Sequence, residues 1–239
     1  MSASQVGIYA LAANVALPVA ILMQGMAQGF MPTYARAATE RAALISLPRV
    51  INVQVLLVLS ITIGAMLLGP IVTRYIAPPE YDAAADLVPW LTAGYGLLGL
   101  YFLPMNAVAL TAGRTGKIWM ITVLAAGLNF AALLALVPSL GLTGAAIATT
   151  IGYAVLLLGV GLYSRGADNP VQYPWGRLTR VTLVFVAVYV GAVLTSDNRS
   201  CVDAVIRLGW LTLCPILLTV TGVVDRREAV SVIRSRGAR

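Results

Sequence analysis

Apolar residues dominate this chain in long runs, and polar residues mark the gaps between them. Seven apolar segments stand out, at roughly 6–32, 51–73, 87–112, 118–138, 143–164, 178–195 and 205–224. The clearest stretch is 118–164, IWMITVLAAGLNFAALLALVPSLGLTGAAIATTIGYAVLLLGVGLY, two apolar arms joined by a short break at Pro138, Ser139, Gly141 and Gly144. Each arm holds about 20 residues without a charge, the length that a bilayer core demands of a helix. With no water at that depth, the backbone must satisfy its own hydrogen bonds as helix. Gly144, Ala148 and Gly152 recur at four-residue steps in the second arm, a small-residue stripe that lets another helix approach closely. The pattern predicts an all-α, polytopic transmembrane helix bundle of about seven spans.

Charged residues sort by gap. Arg36, Arg41, Arg49, Arg114, Lys117, Arg165, Arg177, Arg180, Arg226, Arg227, Arg234, Arg236 and Arg239 fall in alternate gaps and the C-terminal tail. The other gaps keep Arg74, Arg199 and Arg207 beside Glu80, Asp82, Asp86, Asp197 and Asp203. Because basic residues are retained on the cytoplasmic side, this alternation predicts the N-terminus outside and the C-terminus cytoplasmic. The organisation expected is a membrane bundle over 1–224 and a basic cytoplasmic tail over 225–239 that lies against anionic lipid. The gap 33–50 is expected to be a cytoplasmic linker, partly helical and lying on the membrane surface.

A few polar residues sit inside the apolar runs, and these are the candidates for contact with cargo. At 100° per residue, Gln24, Gln28 and Asn14 fall near −80°, −40° and 0° on the first segment, with Gly25 and Pro18 close by. Amides in a membrane face other helices or a wet cavity, so this face is either interhelical glue or the wall of a polar path. In segment three, Gly94, Gly96, Gly99, Pro104 and Asn106 suggest a kinked or broken helix, or ordinary packing. The turn Gly113–Lys117 offers Arg114 and Lys117 at the membrane surface, as topology signals or as contacts for an anionic headgroup or phosphate. Asn129 interrupts segment four, with Thr122 two turns earlier on the same face. The tentative substrate-binding set is therefore Asn14, Gln24, Gln28, Asn106, Arg114, Lys117 and Asn129.

Composition narrows the function classes. The 239-residue chain is 59% hydrophobic and only 10% charged, far below the charge of an ordinary soluble domain. The net charge of +7 is dispersed among the gaps, which argues against a nucleic-acid partner and for membrane lipids as the surroundings. Histidine is absent, removing the commonest general base and the commonest metal ligand. No catalytic residue, metal site or cofactor is expected, and an integral-membrane glycosyltransferase or acyltransferase is disfavoured because no loop is large enough to carry its chemistry. Cys201 and Cys214 lie too far apart along one helix to pair, and Asn198-Arg199-Ser200 matches a glycosylation sequon only weakly.

The run from Asn129 through Pro138 and Gly141 to Gly144-Ala145-Ala146-Ile147-Ala148-Thr149 resembles a signature of bacterial polysaccharide flippases. These are the O-antigen and exopolysaccharide exporters of the MATE-like multidrug/oligosaccharidyl-lipid/polysaccharide superfamily. The opening VGIYALA (6–12) and the turn at Gly113–Lys117 also look like family features. The resemblance implies a bacterial cytoplasmic (inner) membrane protein that moves a lipid-linked oligosaccharide by alternating access. Full-length members have two lobes, and this chain would correspond to spans eight to fourteen of them, with a preceding lobe or a second copy as partner. The alternatives are a drug or metabolite exporter of the same superfamily and a truncated, non-transporting membrane protein.

Overall fold

A computed structural model describes residues 3–111, 115–166, 171, 173, 175–195 and 205–213. Among them all regular structure is helical: α1 (Ala3–Thr39), α2 (Arg41–Ile76), a 3₁₀ turn (Pro79–Tyr81), α3 (Asp82–Asn106) running into a π turn (Ala107–Thr111), α4 (Ile118–Gly166) and α5 (Trp175–Thr195). Five helices are long and apolar enough to cross a membrane. Large apolar side chains that water would not tolerate in such number, among them Leu124, Phe130, Leu134, Leu158 and Leu162, point out of α4. The chain is an all-α membrane protein. Cys201, Cys214, the sequon at 198–200 and the tail 225–239 lie outside the described residues.

Residues 3–173 form one compact unit. Their helix directions follow from which residues touch. Gly69 lies against Val88, Gly96 against Thr62 and Gly99 against Val58, so α2 and α3 run antiparallel. Gly7 meets Tyr81 and Asn106 reaches Ala27, so α1 and α3 run parallel. Thr150 donates to the Trp90 carbonyl at 2.8 Å and Tyr153 packs on Tyr95 at 6.2 Å between ring centroids, so the second arm of α4 also runs parallel to α3. α3 is thus the central helix of the unit, in contact with α1, α2 and α4. Its three glycines serve those contacts: Gly94 admits Tyr153 and Thr150, Gly96 admits Thr62, and Gly99 admits Met23 and Val58. The helix is neither kinked open nor broken at these glycines. It changes only past Pro104, whose missing N–H and bulky ring favour the wider π turn that follows.

At 49 residues α4 would be about 73 Å long if straight, more than twice a bilayer core. It is not straight. Gly141, at φ 58° and ψ −132°, takes a backbone conformation that a side chain would resist, and it divides the helix into arms 118–140 and 142–166. The arms fold back on each other: Gly144 abuts the Leu136 carbonyl, Gly152 the Asn129 side chain and Gly159 the Ile121 side chain. The stripe seen in the sequence therefore packs against its own first arm, not against a separate helix.

The gap 33–50 is helical almost throughout: it completes α1 and begins α2, with a single extended residue, Glu40, at the turn. These helices, 37 and 36 residues long, run about 55 Å each and so outreach the bilayer core. Tyr34 near the end of α1 and Leu47 near the start of α2 are both fully buried.

Residues 174–239 form a second unit. Within it Gly191 of α5 leaves room for the Trp210 ring of the helical stretch 205–213, and Trp210 Nε1 donates to Thr195 Oγ1 at 2.9 Å.

Matched substitutions test the hairpin. Gly152→Leu drives a side chain into Asn129, whose nearest atoms stand 3.0 Å from an added Cβ, and should cost about 1–3 kcal/mol. Gly25→Leu on α1 enters open space and should change stability by less than about 0.5 kcal/mol. Thermal unfolding of the two variants in one detergent checks the difference.

Candidate functional site

Antiparallel folding gathers the charges of residues 3–173 at two ends. One end carries Arg36, Glu40, Arg41, Arg49, Lys117 and Arg165, at the ends of α1 and α4 and the starts of α2 and α4. The other carries Arg74 with Glu80, Asp82 and Asp86. Arg74 lies 3.5 Å from Asp86 in an exposed pair, worth well under 1 kcal/mol. The bundle therefore has one net-positive end and one net-negative end, with uncharged helix between them.

The seven nominated residues do not converge on one pocket. Asn14, Gln24 and Gln28 do share a face of α1, and it is the face turned away from the core. Ala12, Ala16, Val19, Ala20 and Met23 form the buried side. Pro18, Gly25 and Gly29 lie exposed among the amides, and an added Cβ on either glycine would touch nothing. From Asn14 to Gln28 this face runs about 21 Å along the helix, and exposed Leu17 and Ile21 stand on it between Asn14 and Gln24.

Asn106 is buried, and its Nδ2 makes a long 3.4 Å contact with the Ala27 carbonyl. Ala27 sits on the inner side of α1, so Asn106 is a structural tie and not part of the exposed strip. Lys117 is exposed at the positive end, just before α4. Arg114 lies outside the described residues.

Asn129 occupies a different feature. It is half-buried in the α4 seam, where its Nδ2 donates to the Ala148 carbonyl at 2.8 Å. Beside it opens a notch of about 320 Å³ lined by Thr122, Ala125, Ala126, Asn129, Thr149, Gly152, Tyr153 and Leu156. Thr122 and Asn129 share this surface, as their spacing predicts. Thr149 and Tyr153 were not singled out from the sequence. Their four-residue spacing on one helix face, flanking Gly152 where it meets Asn129, is the signal that marks them.

Sequence reading also missed a buried polar pair. Tyr34 donates its hydroxyl to Gln54 Oε1 at 2.7 Å, and both side chains are buried. This ties the long ends of α1 and α2 at the positive end. Nearby in sequence, the carbonyl oxygen of buried Asn52 has no hydrogen-bond partner among the described residues.

Comparison with protein-family models, with curated proteins and with solved structures finds no match to this chain.

The Tyr34–Gln54 pair makes its own prediction. Tyr34→Phe leaves the Gln54 oxygen buried and unpaired and should destabilise the protein by about 1–3 kcal/mol. Adding Gln54→Leu removes the orphaned group and should recover part of that loss, measured as a double-mutant cycle of thermal unfolding.

Proposed function

We propose that this chain is a component of a membrane transporter, a flippase that moves a lipid-linked oligosaccharide or polysaccharide precursor across the bacterial cytoplasmic membrane by alternating access. The observation that carries the reading is the exposed amide strip of α1. Asn14, Gln24 and Gln28 would be costly against hydrocarbon, so the strip belongs beside a polar path or another set of helices. A glycan, dense in hydroxyls, is matched by side chains that each carry a donor and an acceptor.

The resemblance of residues 129–149 and of VGIYALA to the flippase signature supports the same reading. In this arrangement the net-positive end is cytoplasmic and the N-terminus faces outside, following the retention of Arg and Lys inside. The two arms of α4 count as separate spans, and 205–213 begins the seventh. Lys117 stands at the cytoplasmic face, where a pyrophosphate headgroup would enter. An exporter of organic cations is the lesser reading, because the carboxylates of the described helices sit only at the start of α3 and leave mid-bilayer depth uncharged. A second copy or a preceding lobe would face the α1 strip and close the path.

Vesicles containing the chain and a fluorescent lipid-linked oligosaccharide test the proposal. The label should become accessible to a membrane-impermeant quencher, and Gln24→Leu with Gln28→Leu should slow this about tenfold, the worth of two amide hydrogen bonds in lipid. Absence of translocation, or a rate untouched by the double substitution, refutes it.

A further inference from the structure

We infer that the notch on the α4 hairpin is a binding site for an uncharged, hydroxyl-bearing lipid held near the middle of the bilayer. This goes beyond the transport reading and does not depend on it. Asn129 stands at the centre of the arm 118–140 and Gly152 near the centre of 142–166, so a hairpin that spans the membrane sets the notch close to mid-depth. Apolar Leu124, Leu128 and Phe130 are exposed on the same arm, and Ala126 and Thr122 on the rim are exposed too, so the notch opens sideways toward lipid.

Its polar atoms define the ligand. The hydroxyl of Thr122 donates to the Ile118 carbonyl at 3.1 Å, and that of Thr149 to the Ala145 carbonyl at 3.1 Å. Asn129 uses an N–H on the Ala148 carbonyl. The two threonine hydroxyls have each spent their one donor on the protein, so their oxygen lone pairs remain for the notch, while Asn129 keeps its oxygen and a second N–H. Among the described residues Asn129 Oδ1 has no hydrogen-bond partner, and Asn129 lines the space. An alcohol meets this need by donating to Asn129 Oδ1. A charged headgroup does not fit, because no Lys, Arg, Asp or Glu lines the notch and an isolated charge at that depth is expensive. The volume of about 320 Å³ lies at the small end of ligand sites and suits the hydroxyl end of a lipid chain, with the remaining chain in the bilayer.

Photolabelling of the full chain in phosphatidylcholine nanodiscs tests the site. One probe is a hexadecanol carrying a diazirine near its hydroxyl, and the comparator is its methyl ether, which cannot donate. Adducts are mapped by mass spectrometry. The alcohol should label peptides spanning 118–129 and 149–156 about fivefold more than the ether, roughly the worth of one hydrogen bond. Ala126→Leu, which fills the notch from its exposed rim, should bring alcohol labelling to background. Equal labelling by the two probes, or alcohol labelling that survives Ala126→Leu, overturns the inference.

Discussion

Close approach of helix backbones is the constraint on which this bundle depends. Lipid tails are as apolar as leucine, so burying leucine against leucine contributes little to holding membrane helices together. What remains is van der Waals contact at short range, and that requires residues without bulk at the crossing points. α3 meets this requirement on three sides at once, with Gly94, Gly96 and Gly99 turned toward α4, α2 and the α1–α2 pair. The α4 hairpin repeats the solution through Gly144, Gly152 and Gly159. α5 repeats it again at Gly191, where the Trp210 ring takes the vacated space.

Close approach also decides what polar side chains do. Where backbones come near, a side chain can reach the carbonyl of the next helix, as Asn129 reaches Ala148 and Thr150 reaches Trp90. Such bonds are worth only about 1 kcal/mol in a membrane, but an unmade one leaves a polar group in hydrocarbon. Among the described residues, Asn14, Gln24 and Gln28 of α1 have no such hydrogen-bond partner. They share the side of that helix opposite the buried alanines, interspersed with exposed Leu17 and Ile21.

The sequence made the spans legible because length and lack of charge are local properties. It also located the break in α4, since Pro138 and Gly141 interrupt an otherwise uniform run. It could not say which helix meets the Gly144–Gly152 stripe, because the same stripe serves a near or a distant partner. The true partner is the preceding arm. In residues 33–50 the charges mark a gap between apolar runs but not the end of a helix, and α1 and α2 continue into it as far as the single extended residue Glu40. Periodicity put the three amides on one face. Only tertiary contacts reveal that this face is the outer one.

These two outward polar features differ in kind, and the difference follows from packing. The α1 strip lies along a single helix and presents amides that have no hydrogen-bond partner among the described residues, beside exposed Leu17 and Ile21. Such a surface suits a broad polar partner that contacts it over many residues. The α4 notch is bounded by two arms, and its amide is already held by a backbone carbonyl. The bond to the Ala148 carbonyl fixes the Asn129 side chain in place, so the notch is organised before any ligand arrives. The glycine contacts that close the hairpin therefore also preform the notch. On α1 the corresponding glycines are unfilled, and the strip can gain its order only from whatever comes to lie against it.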